Sequence, residues 1–215
     1  MNTDEADCCA RWQRRKEARP QEIVDAALDI FVERGFAATR LDDVARRAGV
    51  SKGTVYRYFE NKDALFVAVV KEIVVPEVAR IEKLAADFSG SGTELLRSLI
   101  QNWWQTVGET RLCGIPKMVM ADAGNFPELA RLFIEEVVSR MRVIFESIVE
   151  KGIQSGEFRQ CDIKHAARAI MAPMVLAAIW ERSLKPFDNE TCDTPVYLDT
   201  YLDLIIEGIR KDTIR

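Results

Sequence analysis

With 215 residues, 48% of them hydrophobic and 30% charged, the chain carries enough apolar material for a packed core. A net charge of −4 gives no sign by itself of a nucleic-acid partner, and one histidine with five cysteines, none at CxxC spacing, speaks against a metal site. The charge is unevenly spread. Residues 10–62 hold twelve Lys/Arg against eight Asp/Glu, whereas residues 63–215 hold eighteen against twenty-three. A basic N-terminal part on an acidic remainder is the asymmetry of a DNA-binding head on a separate body.

In chain order, residues 1–16 read as a flexible basic arm, with Arg11, Arg14, Arg15 and Lys16 after three acids. No apolar stretch marks a signal peptide. The first helix is expected to open at Pro20, with Ile23, Ala27, Ile30 and Phe31 on its apolar stripe, and to stop at Gly35. A short helix follows with Leu41, Val44, Ala45 and Ala48 on one face, ended by Gly49. Ser51 caps the next, which buries Val55 and Phe59, and Asn61 caps a long fourth helix with a kink or break at Pro76. Ser89-Gly90-Ser91-Gly92 is a linker, and Thr93 is expected to cap the helix that carries Trp103 and Trp104. Short pieces around Pro116–Ala123 precede a long helix from about 127 to 151. The last two helices cover roughly 162–182 and 194–211. The expectation is an all-α fold of about nine helices: a three-helix head at 17–77 and a ligand-binding and dimerisation domain at 78–215. The longest apolar run, Ala169–Trp180, is too short to span a bilayer, so the expected location is the cytoplasm.

The segment 40–59 carries the chemistry. A helix-turn-helix needs a small residue at the helix crossing, a positive φ in the turn and an apolar residue packing back. Ala45, Gly49 and Val55 have that spacing. The second helix leaves Lys52, Thr54, Tyr56, Arg57 and Tyr58 on its outer side. Lysine donates to guanine acceptors or phosphates, and Thr and Tyr hydroxyls suit phosphate oxygens. Gly53 lets the helix N-terminus approach a groove closely.

Across residues 18–66 the sequence resembles the tetracycline-repressor (TetR/AcrR-like) family of bacterial regulators. The matching residues include Ile23, Ala26, Ala27, Phe31, Gly35, Phe36, Thr39, Val44, Ala45, Ala48, the run Gly49–Tyr56, Tyr58, Phe59, Asn61, Lys62 and Leu65. The resemblance implies a dimeric DNA-binding regulator, most simply a repressor released from a palindromic operator by a small apolar or amphipathic effector. It implies phosphate contacts at Thr39 or Arg40, Thr54, Tyr56, Tyr58 and Lys62, and base-edge contacts near Ser51, Lys52 and Gly53. Where the family commonly has a second hydroxyl residue, this chain has Arg40. The two last helices would pair with those of a second copy, and the apolar helix through Ile170–Trp180 agrees with a partner on its face.

Trp103, Trp104, Met118, Met120, Phe126, Phe133, Met174 and Trp180 either line an effector cavity or fill an ordinary core. An effector-independent, architectural DNA-binding protein of the same fold is the alternative, and a filled core would favour it. No Gly-rich phosphate loop or nucleophile elbow points to an enzyme or a cofactor. His165 reads as a surface residue rather than a catalyst. Cys8-Cys9 reads as an inert pair or an oxidation sensor, and the arm as a solvated tail or a minor-groove ligand.

Overall fold

The computed structural model describes the backbone of residues 3–189 and 193–211 and the side chains of 20–189 and 193–211. The described residues form nine helices and no strand, with one isolated bridge between Phe158 and Arg210. The chain divides into two compact units, Met1–Ile73 and Val74–Arg215.

The first unit contains α1 (Thr3–Ala38), α2 (Leu41–Arg47), α3 (Lys52–Tyr58) and the start of α4 (62–87). Helical backbone starts before Pro20, at Thr3, rather than at the proline. Pro20 removes one backbone donor, and the stretch before it is rich in Ala, Glu, Gln and Arg, which favour helix. The basic arm and Cys8-Cys9 have side chains outside the described residues. Gly35 breaks the geometry of α1 with φ 81 and ψ 167, a conformation that suits glycine. The core is a cluster of three rings, with Phe31–Phe36, Phe31–Phe66 and Phe36–Phe66 centroids 5.5, 5.7 and 5.7 Å apart. Ile23, Leu28, Val44, Val55 and Leu65 complete it, each fully buried.

α4 joins Lys62–Val69 to Val75–Asp87 through a π turn at Val70–Val74. Pro76 therefore does not end the helix. The π turn just before it absorbs the hydrogen bond that the proline cannot make.

The second unit continues with α5 (92–108), which ends in a π turn at Trp104–Gly108, and α6 (Gly114–Asp122). α7 (127–154) carries a π turn at Ile134–Val138, and α8 (Ile163–Ser183) and α9 (Thr194–Ile209) close the unit. The cap of α5 is Ser91, not Thr93. Ser91 and Glu94 form a reciprocal capping box, and Gly92 and Thr93 already lie in the first turn. Their backbone N–H groups donate to Glu157 at 2.8 and 3.0 Å. A bidentate pair, Arg140 to Glu82 at 2.7 and 2.6 Å, ties α7 to α4. The Tyr201 hydroxyl donates to the Ile170 carbonyl and ties α9 to α8; burial raises its pKa. α8 is long and apolar enough to cross a membrane by length and composition, although its unbroken apolar run is shorter.

Candidate functional site

In the first unit, α2 and α3 pack through Ala45 and Val55, both buried. Between them Gly49 takes φ +65. An added Cβ there would meet nothing within 4 Å, so backbone conformation rather than space is what calls for glycine. The Val50 N–H returns to the Ala45 carbonyl at 3.0 Å and fixes the turn. Ser51 caps α3, its Oγ accepting from the Thr54 N–H at 3.1 Å and lying 2.8 Å from the Thr54 hydroxyl.

The expected contact residues divide into two groups. Arg40, Ser51, Lys52, Gly53 and Tyr56 are exposed, and Thr54 and Tyr58 are half-buried. Six of these seven lie on α3 or at its cap, and Arg40 precedes α2. Thr39 is only 3% exposed, and its hydroxyl donates to the Gly35 carbonyl at 2.6 Å. Lys62 donates to the Phe36 and Ala37 carbonyls at 2.9 and 3.1 Å and sits 4.5 Å from the Phe36 ring centre. Both therefore close the end of α1 in this structure, because helix-terminal carbonyls need donors.

Charge pairing separates the cations further. Arg34 and Arg46 both meet Asp43, and Arg47 meets Glu33 and Asp29. Lys52 pairs with Asp42 at 2.9 Å and lies 5.6 Å from the Tyr56 ring centre; the hydrogen bond it donates to Asp42 raises its pKa. Arg40 and Arg57 are exposed and have no hydrogen-bond or ion-pair partner among the described residues. Arg57 was legible as an outward residue, but only the pairing of its neighbours singles it out as a contact candidate.

The second unit holds an apolar cavity of about 410 Å³, within the usual range for small-molecule sites. Of the eight residues expected to line it, Trp103, Met120, Phe133 and Met174 do. Trp104 instead lays its ring on Gly108, where a Cβ would come within 2.3 Å, and lines a separate polar hollow. Met118 is core, Phe126 precedes α7, and Trp180 is 39% exposed on α8. Helical phase, not residue type, decides which wall a helical side chain joins. All three π turns contribute to the wall: Val74, Val107, and Val137 with Val138. His165 lies at the exposed start of α8, its Nδ1 2.9 Å from the N-cap carboxylate of Asp162.

A capped, outward-facing helix after a positive-φ turn, in a three-helix head, defines a helix-turn-helix DNA-binding regulator. Residues 23–69 match the model of bacterial regulatory proteins of the tetR family, and residues 94–192 match that of the C-terminal domain of AefR-like transcriptional repressors. The chain belongs to the tetR family. It is 25% identical over 200 residues to the fatty acid metabolism regulator protein of Bacillus subtilis, covering 91% of this chain and 99% of that one. It is 25% identical over 215 residues to the transcriptional regulator RutR of Escherichia coli, covering 92% and 93%. The structure of the transcriptional regulator FadR from Bacillus subtilis in complex with stearoyl-CoA shares the fold, with a TM-score of 0.68, 23% identity and coverage of 88% and 99%.

Proposed function

We propose that this regulator is a homodimeric repressor that a small apolar or amphipathic effector releases from a near-palindromic operator. The observation that carries the reading is the cavity in the second unit: a solidly packed body would favour effector-independent binding, whereas about 410 Å³ of apolar space invites a ligand. Two α3 helices would enter successive major grooves, with half-sites about 34–36 Å apart or multiples of that spacing. Lys52 and the α3 N-terminus around Ser51 and Gly53 would meet base edges. Arg40, Thr54, Tyr56 and Tyr58, joined by Arg57, would hold phosphates. Thr39, whose single hydroxyl hydrogen goes to the Gly35 carbonyl, would support the frame, and Lys62 would do so with two of its three N–H groups.

Second copies would join through α8 and α9, where Trp180, Val196 and Leu204 are 39%, 60% and 72% exposed. That burial also accounts for the apolar character of α8 without a membrane, and the protein would work in the cytoplasm, where its operator is. Coupling would run along α4. It begins at Lys62, which closes the end of α1, and supplies Val74, Val78 and Ile81 to the cavity wall. Breaking the fit to a single base pair costs about 1–3 kcal/mol, so a modest movement of the head suffices for release. The test is operator affinity with and without a molecule shown to occupy the cavity. A fall in affinity is expected; tight occupancy with unchanged operator affinity would contradict the proposal.

A further inference from the structure

The arginines of the second unit are almost all engaged. Arg80 pairs with Glu77, Arg97 with Asp203, Arg131 with Glu128, Arg140 with Glu82 and Arg210 with Glu207. Arg159 donates to the Gly208 carbonyl, Arg182 to the Thr110 carbonyl, and Arg111 also has a partner. Arg142 and Arg168 alone have no hydrogen-bond or ion-pair partner among the described residues of the unit, and both line the cavity.

Their placement is not scattered. On α8 most of the wall is a stripe at helical spacing, Arg168, Met171, Ala172, Val175, Leu176 and Ile179, with Met174 beside it. On α7 the wall ends at Met141 and Arg142. Each arginine is the member of its row nearest in sequence to the loop 155–162 that joins the two helices. Helices that pack closely across so short a loop run antiparallel. Each arginine therefore stands at the loop-facing end of its own otherwise apolar row. The one carboxylate in the wall, Glu77, is already paired with Arg80 at 2.9 Å.

We infer that the cavity takes an amphipathic anion, its apolar body against the α4, α7 and α8 rows and its oxyanion head group on Arg142 or Arg168. Resting on the effector reading above, the inference adds the charge and polarity of the ligand. A guanidinium presents a planar fork of donors that matches carboxylate or phosphate oxygens, and it loses less hydration than an ammonium on leaving water. Arg142 is half-buried and Arg168 exposed, so a counter-ion gains more at Arg142, where the charge is partly withdrawn from water. A cationic ligand would meet two like charges and no free carboxylate.

The test compares probes with one tail and different heads: decanoate, decyl phosphate, decanol and decyltrimethylammonium, below their micelle concentrations, by calorimetry and by the fluorescence of Trp103. At least one of the two anions should bind tenfold or more tighter than decanol, and the cation most weakly. Comparison of decanoate with decyl phosphate separates a carboxylate head from a phosphate head. In the Arg142→Gln/Arg168→Gln variant the anion should lose its advantage over decanol, and in the double Lys variant keep part of it. If decanol binds as well as the anions, or the cation binds best, the anion inference is overturned while the effector cavity stands. If none of the four binds, the effector reading itself fails. The wild-type comparison decides the matter even where the double variant does not fold.

Discussion

The head and the body both carry arginines without a partner among the described residues, set on opposite backgrounds. In the head, Arg57 lies on an exposed polar helix and Arg40 at the start of α2, while neighbouring cations are tied to Asp42, Asp43 and Glu33. In the body, Arg142 and Arg168 line an apolar cavity. The first arrangement suits a long, solvated polyanion. The second suits one head group with an apolar tail. In both, a cation without an internal partner among the described residues keeps its charge uncompensated for an outside anion.

The largest expected effect separates the two regions through their cores. Phe66→Ala removes a ring that packs edge-on against both Phe31 and Phe36. It should cost the head about 3–5 kcal/mol. Denaturant unfolding and operator binding would register the loss, while ligand binding in the body should persist. Loss of both together would show the two units to be energetically inseparable.

A smaller effect concerns readout. Lys52→Ala should cost about 1–3 kcal/mol on the operator and relax base preference. The Lys52–Asp42 pair is exposed, so exchanging Asp42 for DNA is cheap. Tyr56→Phe should weaken operator and scrambled DNA alike. Arg40→Ala and Arg57→Ala should each lower the slope of log affinity against log salt by about 1. An unchanged slope would remove that arginine from the phosphate contacts. Binding isotherms at several salt concentrations measure all four.

In the body, Gly108→Ala forces a Cβ to within 2.3 Å of the Trp104 ring beside the cavity wall. Overpacking of this kind costs about 1–3 kcal/mol. Thermal unfolding should show it, and a weaker ligand response should accompany it because Val107 belongs to the same π turn.

The smallest effect is acidic. Hydrogen bonds from Arg140 hold the Glu82 pKa below its ordinary 4.5. At Glu157 burial pushes the pKa upward, but hydrogen bonds from Thr93 and Gly92 outweigh it, so this carboxylate also ends lower. Both groups thus bind more protons unfolded than folded. Their contribution is complete above about pH 4.5 and is lost as pH falls through their folded values. Glu82→Gln should flatten the acid limb of the stability curve and, for so exposed a pair, cost no more than about 1 kcal/mol at neutral pH.

The sequence alone determined the helix-turn-helix. Its requirements are local: a small residue at the crossing, a glycine at positive φ, a cap at Ser51 and an apolar return at Val55, all within fifteen residues. The helix count and the Asn61 cap were legible for the same reason. Tertiary structure decided the rest. Thr39 and Lys62 looked outward by motif, yet the carbonyl end of α1 needed donors and took them. Residue type singled out eight cavity candidates, and helical phase, reset by three π turns, kept four. No residue pattern announces that Arg142 and Arg168 lack partners, because that depends on where every other carboxylate and carbonyl of the body comes to lie.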